Sequence, residues 1–315
     1  MAYQASDIIL DSHYNGFVSD VNDVWGTGTG DYGYGQSSVL STVTAGNTIT
    51  ATQWATLLAR TSSSASHQGT AITAITSPVT TDPIEAYTAL SGNITAIRSG
   101  RLSYAGSGTP VTSTGTNTTD WVTSLTVTNT LTFAGGNEAR YFFNSGGFIE
   151  LSVTHGTGNA KDNEWNDLCN TKAGTYQIFA NASGKSGGSG TTTTNETAKG
   201  YYNITNSSYD TVFQQAADTA PYTANYLRYR VQMGADDGTD GLGNNGTVVT
   251  IEVLLQDDAA DQDYDLNADS IVDNVTGQTD VLFSYTPPST TFLTNTWGAP
   301  TWGTPSVTPA GAALT

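Results

Sequence analysis

Between Ser124 and Val153 apolar and polar residues alternate in two runs. Leu125, Val127, Leu131 and Phe133 alternate with Thr126, Thr128, Thr130 and Thr132, and Ile149, Leu151 and Val153 alternate with Glu150 and Ser152. Successive side chains of a strand point to opposite faces, so this pattern predicts two strands, each with one buried face. The residues between them, 137–144, read as a short helical turn that Asn137 caps and that Gly146 and Gly147 stop. The same alternation predicts strands over 175–180, 226–233, 247–255 and 279–285, with Leu227, Tyr229, Val231 and Met233 forming one buried row and Val249, Ile251, Val253 and Leu255 another.

Before residue 105 the period changes to that of a helix. Leu10, Tyr14, Phe17, Val18, Val21 and Trp25 fall on one face of a segment over 6–25, with Ser6 as its cap. The glycine-rich run GTGTGDYGYGQ ends that helix, and Tyr32 and Tyr34 are placed to pack the loop back onto it. Thr50 and Gln53 form a capping box for a second helix whose Trp54, Leu57 and Leu58 face inward. Asp82-Pro83-Ile84-Glu85 announces a third. Its Tyr87, Leu90, Ile94 and Ile97 step by three and four residues, the spacing of a coiled-coil seam. That seam suits either an internal bundle of the three helices or a contact between subunits, for which Trp25, Trp54, Tyr87, Leu90, Ile94 and Ile97 are the candidate residues.

The expected fold class is α+β, mainly β: a short N-terminal helical region followed by an antiparallel β-sandwich, since many strands with little helix between them disfavour a parallel sheet. Residues 1–105 form the helical docking or oligomerisation region and 106–119, which lose apolar periodicity, a linker. Residues 120–286 form the sandwich and 287–315 an extended tail carrying Trp297 and Trp302. Within the sandwich, 163–169 is expected as a helical turn that covers one end of the core with Trp165, Leu168 and Cys169, and 181–199 as an exposed loop. The small, aromatic-rich first region is expected to be marginally stable alone, and a fragment starting near Thr119 to fold by itself.

Composition narrows the function. Net charge is -18, from 28 acidic and 10 basic residues, so the summed field repels nucleic-acid backbones and anionic lipid surfaces. No run approaches the roughly 20 apolar residues of a membrane span, and MAYQASDIIL lacks a basic flank and an apolar signal core, so synthesis in a cytoplasm is expected. Cys169 stands alone, which excludes an intrachain disulfide framework and a multi-cysteine zinc site. No basic residue adjoins it to lower its pKa, so a buried structural thiol is expected.

Candidate chemistry is sparse. The string at 28–33 matches GxGxxG, but a helix pattern precedes it and no βαβ unit follows, so it reads as a structural turn. None of His13, His67 and His155 has a histidine partner at metal-binding spacing, and a hydrolase would require the fold to bring one of them to a serine. Metal-ligand spacing occurs once: from Asp265 as position 1, Asn267, Asp269 and Asp273 fall at positions 3, 5 and 9 of a calcium loop. Ser270 stands where that loop has its turn glycine, and Thr276 where it has a bidentate acid. No other cofactor is expected.

Particular strings carry more than periodicity. WGTGTGDYGYGQ (25–36), ITATQW (49–54) and ARYFFNSGG (139–147) resemble segments of virion structural proteins from tailed phages of cyanobacteria and other marine bacteria. The resemblance covers much of 1–70 and 120–180 and, more loosely, 247–287. It implies a non-enzymatic component of the tail, neck or a fibre, located in the virion and made in the host cytoplasm. The partners it implies are other virion proteins and symmetry mates in a trimer or ring. Two other readings belong to different classes. A glycan-binding adhesin for host attachment would draw on the 16 Tyr and 6 Trp. A polysaccharide-degrading enzyme would need two carboxylates about 5 to 9.5 Å apart in a cleft.

Overall fold

A computed structural model of the chain describes residues 10–77, 79, 87–234, 246–259 and 274–311. Two compact units emerge, neither of them a continuous stretch: the first draws on 1–108, 140–147 and 287–298, the second on 109–139, 148–286 and 299–315.

The first unit is built on α1 (Asp11–Trp25), α2 (Ala51–Gln68) and α3 (Tyr87–Ser99). Leu10, in extended conformation, stands at the start of α1, and the expected cap Ser6 and the start signal Asp82–Glu85 lie outside the described residues. The capping box of α2 forms as expected: Thr50 Oγ1 accepts from the Gln53 N–H at 3.2 Å, and Gln53 Oε1 accepts from the Thr50 N–H at 2.9 Å. The three helices bury their apolar faces against one another, with Trp54, Leu90, Ile94 and Ile97 at most 2% exposed, Trp25 buried, and Tyr87 packed against the same cluster. Of the six residues named as candidate subunit contacts, Trp25, Trp54, Leu90, Ile94 and Ile97 are thus buried within this unit, and Tyr87 is half-buried at its edge.

Loops are tied to the helices by side-chain amides. Asn15 donates to Val43 O at 2.9 Å and accepts from Val43 N at 2.8 Å. Asn22 makes the same two bonds to Leu40, and Asn93 makes them to Thr73. From the loop after α1, Gln36 grips Thr294 in this way, at 2.9 Å in both directions.

The second unit is an antiparallel sandwich. Its strands are β1 (Val111–Asn117), β2 (Ser124–Thr132), β3 (Phe148–His155), β4 (Thr175–Ile178), β5 (Ser183–Ser186), β6 (Thr192–Asn195), β7 (Asp210–Ala216), β8 (Tyr226–Gly234), β9 (Val248–Gln256), β10 (Thr279–Thr286), β11 (Thr301–Trp302) and β12 (Ser306–Ala310). One sheet has the order β1-β10-β3-β4-β5; the other runs β11-β2-β9-β8-β7-β6, with β12 also paired to β2. Register follows the alternation, since Leu125, Val127 and Leu131 of β2 stand opposite Leu255, Val253 and Val249 of β9. Tyr176 of β4 meets Phe213 and Tyr229 of the other sheet, with ring centroids 5.7 and 6.2 Å apart. At the far side β1 approaches β2 so closely that a Cβ on Gly115 would lie 2.5 Å from Val127 Cγ1.

Several elements depart from the sequence pattern. The stretch 106–119 contains β1, a full-length partner of β10, so a fragment from Thr119 would lose an edge strand of the sandwich. The stretch 181–199 contains β5 and β6, and β7 has no clean alternation because its register to β8 shifts near Thr211 to Phe213. Between β2 and β3, α4 (Gly136–Asn144) begins one residue before Asn137, which is therefore not its cap; it closes at Gly146, where φ is +89°. The expected turn at 163–169 is α5 (Ala160–Asn166), capped by Asn159 and Asp162, running into a π-helical turn over Asp167–Ala173. The tail splits between the units, residues 299–315 bringing β11 and β12 to β2.

Ile251 is fully buried in β9, a central strand, whereas Thr128 on the neighbouring β2 is half-buried. Ile251→Ala is expected to cost about 2 to 5 kcal/mol of stability and Thr128→Ala less than about 1 kcal/mol, as read from urea unfolding of the full chain.

Candidate functional site

Two clusters of buried polar groups among the described residues bear on function. The first is the glycine-rich loop after α1. Gly28 (φ +51°) and Gly33 (φ +95°) close it on itself: a Cβ on either would lie 2.4 Å from Tyr32 O or 2.2 Å from Thr27 O. From the C-terminal half of α4, Arg140 donates to the carbonyls of Gly30 (3.2 Å), Tyr32 (3.2 Å) and Thr27 (3.4 Å). Asn144, fully buried, donates to Gly30 O, Tyr32 O and Gly33 O at 3.1 to 3.2 Å. The loop thus turns its carbonyl oxygens inward onto a guanidinium and an amide. A phosphate cradle needs the opposite polarity, N–H groups converging on an anion, so the GxGxxG string serves as a clasp in this fold. Around the rim, Arg98 and Arg101 stand over the Tyr32 ring at 5.1 and 4.2 Å, paired with Asp20, Asp23 and Asp31.

The second place is the end of the sandwich covered by α5. His155 Nδ1 lies 2.8 Å from Thr279 Oγ1 and its Nε2 3.4 Å from Asp162 Oδ1. The fold does bring a histidine between a hydroxyl and a carboxylate, but His155, Asp162 and Thr279 are all at most 2% exposed, so no substrate reaches the hydroxyl. Burial acts to raise the Asp162 pKa, and bonds from His155, Thr276 and Gly277 more than offset it, holding the carboxyl well below the usual range. Beside it Lys161 forms a buried ion pair with Asp257 at 2.7 Å.

On the same end, Glu164, Asp167 and Asp218 bring carboxylate oxygens within 4.8 Å of one another. The ammonium of Lys172 already occupies the space they enclose, bonded to Asp167 and Asp218 and 3.6 Å from Glu164. Burial would depress its pKa, but these acids raise it instead, so the lysine keeps its charge and a metal ion would have to displace it. Cys169 is buried and burial pushes its thiol up, in keeping with a structural role.

All ten basic side chains are accounted for. Arg98, Arg101, Lys161, Lys172, Lys199 and Arg230 pair with carboxylates. Arg140 and Lys185 donate to carbonyl oxygens, and Arg60 and Arg228 lie over the rings of Trp25 and Tyr226. The aromatic residues are similarly committed. Five of the six tryptophans are buried, and the sixth, Trp302, lies against Phe283 and Tyr285 with its N–H on Val111 O at 3.0 Å.

The calcium-spaced residues Asp265, Asn267, Asp269 and Asp273 lie outside the described residues. Sequence reasoning missed Arg140, Asn144, Lys161 and Lys172. Arg140 and Asn144 flank the aromatic run Tyr141, Phe142 and Phe143, which was the available signal, whereas Lys161 and Lys172 stand in polar runs that gave none. Searches against family models, curated proteins and solved structures find no match.

Asn144→Ala would strip the buried loop carbonyls of a shared donor and is expected to cost about 1 to 3 kcal/mol, with faster hydrogen exchange of the amides of 26–36. A second expectation concerns acid. His67, buried with Nε2 3.1 Å from Ser145 O, has its pKa pushed down by burial to about 4 from an ordinary 6.5. A folded pKa below the unfolded one means that stability is complete above about pH 6.5 and lost as pH falls toward 4, by up to about 3 kcal/mol. Melting curves between pH 7 and 4 should show that loss in the parent chain and a smaller one in His67→Gln.

Proposed function

We propose that this chain is a non-enzymatic structural component of a tailed-phage virion, a tail- or neck-associated fibre or appendage protein that assembles with copies of itself. One observation carries the reading. Two of the strings that resemble phage virion proteins, 25–36 and 139–147, are far apart in sequence yet form the two halves of one clasp, the glycine loop and the Arg140 and Asn144 that hold it. Strings that fold into one device match as a structural module rather than as scattered composition.

The burial of aromatic residues weighs against the glycan-binding alternative. Sugar rings are recognised by stacking on exposed aromatic faces, and among the described residues no tryptophan or tyrosine is fully exposed. The charge census sets the conditions of assembly. Copies carrying a net charge of -18 each repel one another at low ionic strength, and salt screens that repulsion over about 8 Å at physiological strength and less in brine.

Light scattering of the full chain is expected to show a monomer in dilute buffer and a closed trimer or ring in salt near sea strength. A monomer across the whole salt range would remove self-assembly from the proposal, and binding on a glycan array would favour the adhesin.

A further inference from the structure

The covered end of the sandwich holds the parts of an amide-exchange reaction. Lys161 Nζ donates to Asp257 Oδ2 at 2.7 Å, the two side chains 2% and 0% exposed. Asn225, 1% exposed, sits at the turn that leads into β8. Its Oδ1 accepts the backbone N–H groups of both Asp258 and Ala259, each at 2.9 Å. The Ala259 N–H also reaches Asp257 Oδ1 at 3.2 Å, so the two side chains share a donor and Lys161 and Asn225 both adjoin one carboxyl. Two N–H donors on one atom fix which end of the Asn225 amide is oxygen. The other end, Nδ2, is buried with no hydrogen bond of normal length and angle, and the Asn225 side chain instead acts on the Asp257 carboxyl, lowering its pKa. A buried amide nitrogen so weakly held is destabilising and calls for an explanation.

We propose that Lys161 and Asn225 join in an intramolecular isopeptide bond, with Asp257 as the proton carrier, tying α5 to the turn before β8. The Asp257 carboxylate takes a proton from the Lys161 ammonium, and the neutral amine attacks Cγ of Asn225 to form the new C–N bond. Negative charge developing on Oδ1 falls on the Asp258 and Ala259 N–H groups, which stand as an oxyanion hole does. Asp257 then delivers that proton to Nδ2 and takes a second one from Nζ; the Cγ–Nδ2 bond breaks, and ammonia leaves with the second proton as ammonium. One amide is formed and one broken, without an oxidant or co-reactant.

The surroundings favour each step. Burial pushes the Asp257 carboxyl up, against the pull of Lys161, Ala259 and Asn225, so it holds a proton more readily than an exposed aspartate. The Tyr222 ring lies 5.8 Å from Nζ, and Trp165, one helical turn beyond Lys161, is 1% exposed. Such walls keep out the water that would compete as nucleophile. Asn225 is a better acceptor than Asp257, since its carbonyl oxygen has two N–H donors whereas Asp257 Oδ2 is bound to the attacking amine itself.

The experiment is mass spectrometry of the full-length chain after denaturation, followed by proteolysis and sequencing of the peptides. The expected result is a loss of one ammonia with a branched peptide joining residues 161 and 225. In Asp257→Asn the branched peptide should be absent or form at least tenfold more slowly. A mass equal to that of the sequence would overturn the proposal. So would loss of ammonia without a branched peptide, which marks a cyclised asparagine, and loss of water with a 161–257 linkage, which would make Asp257 the acceptor. The parent chain decides the matter even if the variant fails to fold.

Discussion

A peptide group buried in a loop must find both a donor and an acceptor, and in this chain the side-chain amide supplies the pair. Asn15, Asn22, Asn93 and Gln36 each present N–H and C=O together to one residue of a passing segment, as a neighbouring strand would. These grips let irregular segments lie against helices without leaving backbone groups unsatisfied. Asn144 extends the device by offering its donors to several carbonyls of the glycine loop at once. The apolar faces of the three helices would pack without these amides; the loops that seal them would not.

The same economy explains the electrostatics. Ten cations are too few to decorate a surface and also serve the interior, and all of them are engaged in ion pairs, carbonyl contacts or ring contacts. Buried charge is tolerated where partners are complete, as for Lys172 among three acids and Lys161 on Asp257. With every cation so engaged and a net charge of -18, the field outside the molecule is negative and discourages anionic partners.

The fold was legible where burial on one face imposes a period. The rows of β2, β3, β8, β9 and β10 stand in the sequence, and so do the capping box of α2 and the inward faces of α1 and α3. It was illegible where the period fails for a physical reason. β1 is an edge strand whose residues are mostly threonine, serine and glycine, so no apolar row marks it. β7 shifts its register, and β5 and β6 are four residues each. The polar clusters were harder still: Arg140 and the Thr27 carbonyl, or Lys161 and Asp257, are about a hundred residues apart in sequence, 113 and 96 respectively, and only the topology joins them.

The chain's route through its two units sets an order on its making. The first unit takes in residues 140–147 and 287–298 as well as the leading helices. A ribosome that has released α1, α2 and α3 has therefore delivered a bundle whose glycine loop still lacks Arg140 and Asn144, and whose Gln36 lacks Thr294. The sandwich likewise waits for β11 and β12, which follow its other strands in the chain and pair with β2. Both units take in segments that follow residue 286, so a nascent chain interrupted before it carries neither finished, and a protease meets open loops rather than a stable half-molecule.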